Sequence, residues 1–150
     1  MTTELDSSAP GVPGTARSSA RRLPMIARLL LGLMFFVFGL NGFLNFISPP
    51  KTPPPEAAMA FAGAMMKTGY LFQLVKGTET IVGLLLLLNR FVPLALVVIM
   101  PVIVNIVALH AFLAPSGIAA AIVILALELY LAWAYRDAYR SVLAARAQPS

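Results

Sequence analysis

Four apolar runs restrict what this 150-residue chain can become more than any other feature of it. They cover about residues 25–47, 70–88, 92–113 and 117–136. A helix rises about 1.5 Å per residue, so runs of roughly 20 residues cross the roughly 30 Å hydrocarbon core of a bilayer. A chain in lipid must satisfy its backbone polar groups within helices or within a closed barrel. Barrel strands alternate polar and apolar residues, and none of the four runs does. The expected fold is therefore all-α, a four-helix transmembrane bundle.

Composition supports this. Hydrophobic residues make up 59% of the chain and charged residues 11%, against about 25% charged in soluble domains. A mean hydropathy of +0.86 leaves too little polar surface for a water-soluble globule of this size. The chain has no cysteine and one histidine, His110. That excludes disulfides, thiolate metal sites, iron–sulfur clusters and any multi-histidine metal site built from one copy. No intrinsic cofactor and no metal site are expected. The net charge of +5 does not indicate nucleic acid. The basic residues sit at the ends of the apolar runs and are not interleaved with aromatics in one patch.

The chain divides into residues 1–23, a membrane domain over 24–140 and a tail over 141–150. Residues 1–23 are rich in Ser, Thr, Gly, Pro and Ala and read as a disordered tail. Their Arg21-Arg22 pair lacks the surrounding pattern of an export signal, and the apolar run after it has no small-residue cleavage site. The first loop starts with prolines. Pro55, Glu56 and an Ala/Met-rich stretch to Lys67, closed by Gly69, then predict a short helix. It should lie at the membrane surface or tuck into the mouth of the bundle. The next two connections are short and make tight antiparallel hairpins.

An even number of spans puts both termini on one side. Arg17, Arg21, Arg22, Arg28, Arg90, Arg136, Arg140 and Arg146 share that side, and Lys51 and Lys67 lie on the other. This bias predicts cytoplasmic termini and an extracytoplasmic proline-rich loop, in a bacterial plasma membrane. Trp133, Tyr135 and Tyr139 at the inner end suit an interfacial belt.

Ionisable residues in a membrane helix need compensation. Lys76 and Glu79 are neighbours on one helix surface. Glu128 and His110 are the other two, and Asn41, Asn45 and Asn105 add neutral hydrogen-bonding groups. Depths counted from the outer helix ends put His110 at about 5 Å, Asn41 at about 9 Å, Lys76 at about 10 Å, Asn105 at about 12 Å and the two glutamates at about 15–17 Å. The reading is one buried polar network or ligand pocket in the outer half, made by Lys76, Glu79, Asn105, Glu128, His110 and Asn41. Pro101 inside the third run predicts a kink. Gly32, Gly39 and Gly42 mark a close-packing stripe on the first run, and Gly77 and Gly83 a looser one on the second.

The run Tyr70-Leu-Phe-Gln-Leu-Val-Lys76-Gly-Thr-Glu79, then Gly83 to Leu96, then Pro101-Val-Ile-Val-Asn105-Ile and His110, resembles the DoxX-like family of small bacterial membrane proteins. Gly32 and Gly39 in an aromatic stretch, and Glu128-Leu-Tyr-Leu-Ala-Trp133, fit the same pattern. The resemblance covers about residues 25–140. It implies a four-helix integral membrane bundle tied to redox or quinone-associated complexes, and it carries no agreed catalytic set. Related proteins often have a Lys after the second Gly of helix one, where Asn41 and Asn45 stand here.

Catalytic residues are therefore left unassigned, and the reading leans away from an enzyme. It is a non-catalytic membrane subunit, quinone-facing, that docks an oxidoreductase partner. Two alternatives stand beside it: a proton-coupled transporter using Lys76, Glu79 and Glu128, which would need a homo-oligomer, and a structural or assembly factor.

Overall fold

In the computed structural model, which describes residues 16–48 and 51–140, five α-helices follow one another. They are α1 (Ala16–Leu44), α2 (Glu56–Lys67), α3 (Leu71–Leu87), α4 (Val92–Phe112) and α5 (Ile118–Ala134). A 3-10 turn, Pro115–Gly117, leads into α5, and another, Arg136–Tyr139, follows it. Among the described residues there is no strand. The tail over 141–150 and residues 1–15 lie outside the described residues.

Helix α1 begins at Ala16, within what the sequence reads as a disordered tail, and carries Pro24 inside it. It stops at Leu44, short of the expected 47, for a local reason. Asn45 takes a left-handed φ of 50°, a conformation that asparagine tolerates better than most residues. The Asn41 carboxamide oxygen accepts a hydrogen bond from the Ile47 amide at 2.7 Å, which turns the chain away. Helix α2 starts immediately after Pro55 and ends before Gly69, whose φ of +78° needs glycine. It meets α3 at 95°.

Helices α1 and α4, and α5 together with its Pro115–Gly117 turn, are each long and apolar enough to cross a bilayer. Helix α3, at 17 residues, qualifies as a fourth candidate span only together with α2, to which it is bent by 95°. It packs along α1. Its first turns lie against Gly42 near the end of α1, and its last carbonyls lie against Arg28 near the start of α1. So α3 runs antiparallel to α1 over nearly the whole span.

Glycines permit that approach. A β-carbon on Gly39 would stand 2.6 Å from the Thr80 amide nitrogen, and one on Gly83 would collide with the Phe36 backbone. Gly32 is similarly close to Leu86. Small residues let membrane helices pack backbone to backbone. Gly77, by contrast, faces open space, so the second stripe reduces to Gly83.

The core takes one face of each long helix. Ala27, Leu31 and Phe35 come from α1, Val82 and Leu86 from α3, Leu96, Ile99 and Ile103 from α4, and Leu131 from α5. Their spacings of three and four residues are those of a helix face. Helix α4 continues unbroken through Pro101. Outward-facing Leu, Val, Ile and Phe residues are abundant, as lipid contact requires.

Candidate functional site

The main polar site lies at the end of the bundle where α1 finishes and α3 begins. All four long helices contribute to it. Met34, Phe35 and Phe38 come from α1, Lys76 and Glu79 from α3, Ile106 and His110 from α4, and Ala120 and Ile124 from α5. They enclose a cavity of about 340 Å³. That lies in the size range of small-molecule sites.

Lys76 and Glu79 form an ion pair, with Nζ donating to Oε2 at 2.7 Å. The Glu79 side chain is 5% exposed and that of Lys76 is 23%. The i, i+3 spacing places both on one face, as the sequence requires. The stem of Lys76 lies across Gly42, where a β-carbon would approach Cδ to 2.6 Å. Glycine at that position of α1 therefore makes room for a charged side chain of α3. An ammonium has three donors, and Glu79 takes one of them. Thr80 turns its hydroxyl back onto the Lys76 carbonyl at 2.8 Å.

His110 sits one turn from the end of α4. Its Nδ1 lies 3.0 Å from the Ala114 carbonyl oxygen. A carbonyl only accepts, so Nδ1 carries the proton and neutral His110 keeps Nε2 as an acceptor. The ring packs directly on Gly117, where any β-carbon would overlap it. The turn Pro115–Gly117 thus holds the imidazole by a hydrogen bond on one side and a glycine surface on the other.

The remaining predicted residues lie elsewhere. Asn41 caps the end of α1 through Ile47. Asn105 is exposed on another face of α4 and lines an apolar groove with Phe61 and Met65 of α2. Glu128 is nearer the Ala134 end of α5 than its start, opposite Leu96 and Met100. Among the described residues no hydrogen bond or ion pair joins it to Lys76, Glu79 or Asn105. The single network expected from sequence depths is therefore divided. The depth count treated each helix as a ladder and could not say which way each rung points.

Two further residues emerge only from the structure. Arg28 is 7% exposed, and its guanidinium donates to the Leu86 carbonyl and, at 3.4 Å, to that of Leu87. It closes the C-terminal end of α3, where orphan carbonyls and the helix dipole favour a cation. Its only sequence signal was a charge within an apolar run, which reads equally well as an orientation signal. Tyr139 donates its hydroxyl to the Pro93 carbonyl at 3.0 Å and ties the end of the described chain to the start of α4.

A multi-pass helical membrane protein is the class that this fold defines. A sequence profile of the DoxX family matches residues 23–111, from α1 through nearly all of α4. The match covers more than half of the chain, which belongs to the DoxX family. It takes in Lys76, Glu79 and His110 and stops short of Glu128. Among curated proteins and among solved structures, nothing matches this chain.

Proposed function

We propose that the chain is a non-catalytic membrane subunit of a quinone-linked redox complex and that the four-helix cavity holds the quinone head group. The observation that carries this reading is the pairing of donors and acceptor in one apolar cavity. Lys76 retains two N–H donors beyond its bond to Glu79 and offers them to a carbonyl oxygen. His110 offers Nε2 to a hydroxyl. The two redox forms of a quinone present carbonyls and hydroxyls respectively, so the set suits both. Met34, Phe35 and Phe38 line the cavity with flat and adaptable apolar surface for a ring.

A bound quinone would supply the two-electron couple. This chain's own residues bind the head group, orient it and keep bulk water from it. The oxidising or reducing partner is a second subunit docked on this one. The basic bias supports cytoplasmic termini in a bacterial plasma membrane, with the cavity opening on the extracytoplasmic side.

The test is purification from native membranes, followed by organic extraction and identification of co-purifying proteins. A quinone should be extracted with wild-type protein and be depleted in His110→Ala, alongside a co-purifying oxidoreductase subunit. Absence of both quinone and oxidoreductase from folded wild-type protein removes the reading. Reporter fusions after Glu56 and after Gln148 should fall on opposite sides of the membrane.

A further inference from the structure

A second cavity lies at the opposite end of the bundle, in the crevice between α4 and α5. It shares no lining residue with the first. Leu96, Val97, Met100, Glu128, Ala132 and Tyr139 surround about 240 Å³. Glu128 is 2% exposed and stands on the core-facing stripe of α5, in line with Ala121 and Leu131. Among the described residues its buried Oε2 has no hydrogen-bond partner. Buried polar atoms nearly always have one, so an orphan of this kind calls for an explanation.

The described surroundings do not provide the missing donor. Among the described residues no Lys, Arg or His lines this cavity. Tyr139 uses its hydroxyl hydrogen on the Pro93 carbonyl and presents only lone pairs. Arg136, the nearest cation along the chain, is exposed, stacks on Trp133 at 4.7 Å and donates to the Trp133 carbonyl. What is left is a carboxyl group heading an apolar pocket. The complementary ligand carries a positive N–H donor on an apolar body. An apolar cavity of about 150 Å³ accommodates benzene. The extra volume here admits one ring with a short aminoalkyl arm.

We propose that this cavity is a binding site for a small lipophilic primary ammonium compound. Its N–H donates to Glu128 Oε2, and its apolar body lies against Leu96, Val97 and Met100. The ligand supplies the counter-charge that the described residues do not. Entry is from the crevice, where Val97 is exposed.

The test uses the full chain in lipid nanodiscs and equilibrium dialysis of radiolabelled 2-phenylethylamine, with 2-phenylethanol as the neutral match. The amine should bind saturably at one per chain, and the alcohol at least tenfold more weakly. A short-chain quinone should not displace the amine. Glu128→Gln should weaken amine binding at least tenfold. Ala132→Leu, which narrows the cavity and leaves Glu128 intact, should weaken it as well, and it decides the matter if the Gln variant does not fold. Equal binding of amine and alcohol overturns the proposal. So does displacement by the quinone, absence of saturable binding, or undiminished binding in folded Glu128→Gln or Ala132→Leu.

Discussion

Glu79 and Glu128 are nearly equally buried, at 4% and 2% exposure, yet they are accommodated in opposite ways. Glu79 has the Lys76 ammonium at 2.7 Å on its own helix. Among the described residues Glu128 has no hydrogen-bond partner for Oε2, and it faces Leu, Val, Met and Tyr. The first carboxylate is compensated by a neighbour three residues away, so its environment travels with its helix. The second depends on which elements happen to surround it. One end of the bundle is a closed electrostatic unit, and the other is an incomplete one.

Removing one partner from the complete end should have the largest effect. Lys76→Met leaves the Glu79 carboxylate uncompensated, which typically costs about 3–5 kcal/mol in a buried pair. Unfolding by denaturing detergent should show a loss of that order, and Lys76→Met combined with Glu79→Gln should recover part of it. Equal stability of the single and double variants would end the description of that pair as a unit.

The next effect belongs to the opposite end. Arg28→Met removes a charged donor from the last carbonyls of α3, and hydrogen bonds to charged groups are worth about 1.5–3 kcal/mol. A loss in that range, with hydrogen exchange rising first in the final turn of α3, would show that this end also has a charge in structural use. Gly83→Ala should follow at about 1–3 kcal/mol, the usual range for overpacking, because the new methyl meets the Phe36 backbone. It should affect both ends alike, since it lies between them.

Glu128→Gln should have the smallest effect on stability, within about 1 kcal/mol in either direction, because among the described residues Oε2 has no bond to lose. A loss comparable to that of Lys76→Met in the same assay would show that Glu128 has a hidden partner and that the two ends are alike.

Much of the architecture was legible from the order of residues. Membrane crossing follows from run length, because the bilayer has a fixed thickness. Helix α2 was readable from Pro55, Glu56 and Gly69, since cap positions have local backbone requirements. Lys76–Glu79 was readable because i, i+3 neighbours share a surface in any helix. The Gly32, Gly39 and Gly42 stripe was also readable, although not what it packs against.

The remainder required the fold. Helices α4 and α5 are apolar on nearly every side, as helices in lipid are. Their sequences therefore do not say which face turns inward. That rotation determines that Glu128 faces Leu96 rather than Lys76 and that Asn105 faces α2. Arg28 on the Leu86 carbonyl, the His110 ring on Gly117 and Tyr139 on Pro93 are likewise meetings between distant segments. Sequence by itself determined that the chain crosses the membrane more than once and that Lys76 pairs with Glu79, because these depend on rise, length and spacing along a single helix. Only the tertiary structure decided which polar residues share a cavity, because that depends on how each helix is rotated about its axis, and a uniformly apolar surface leaves that rotation to packing.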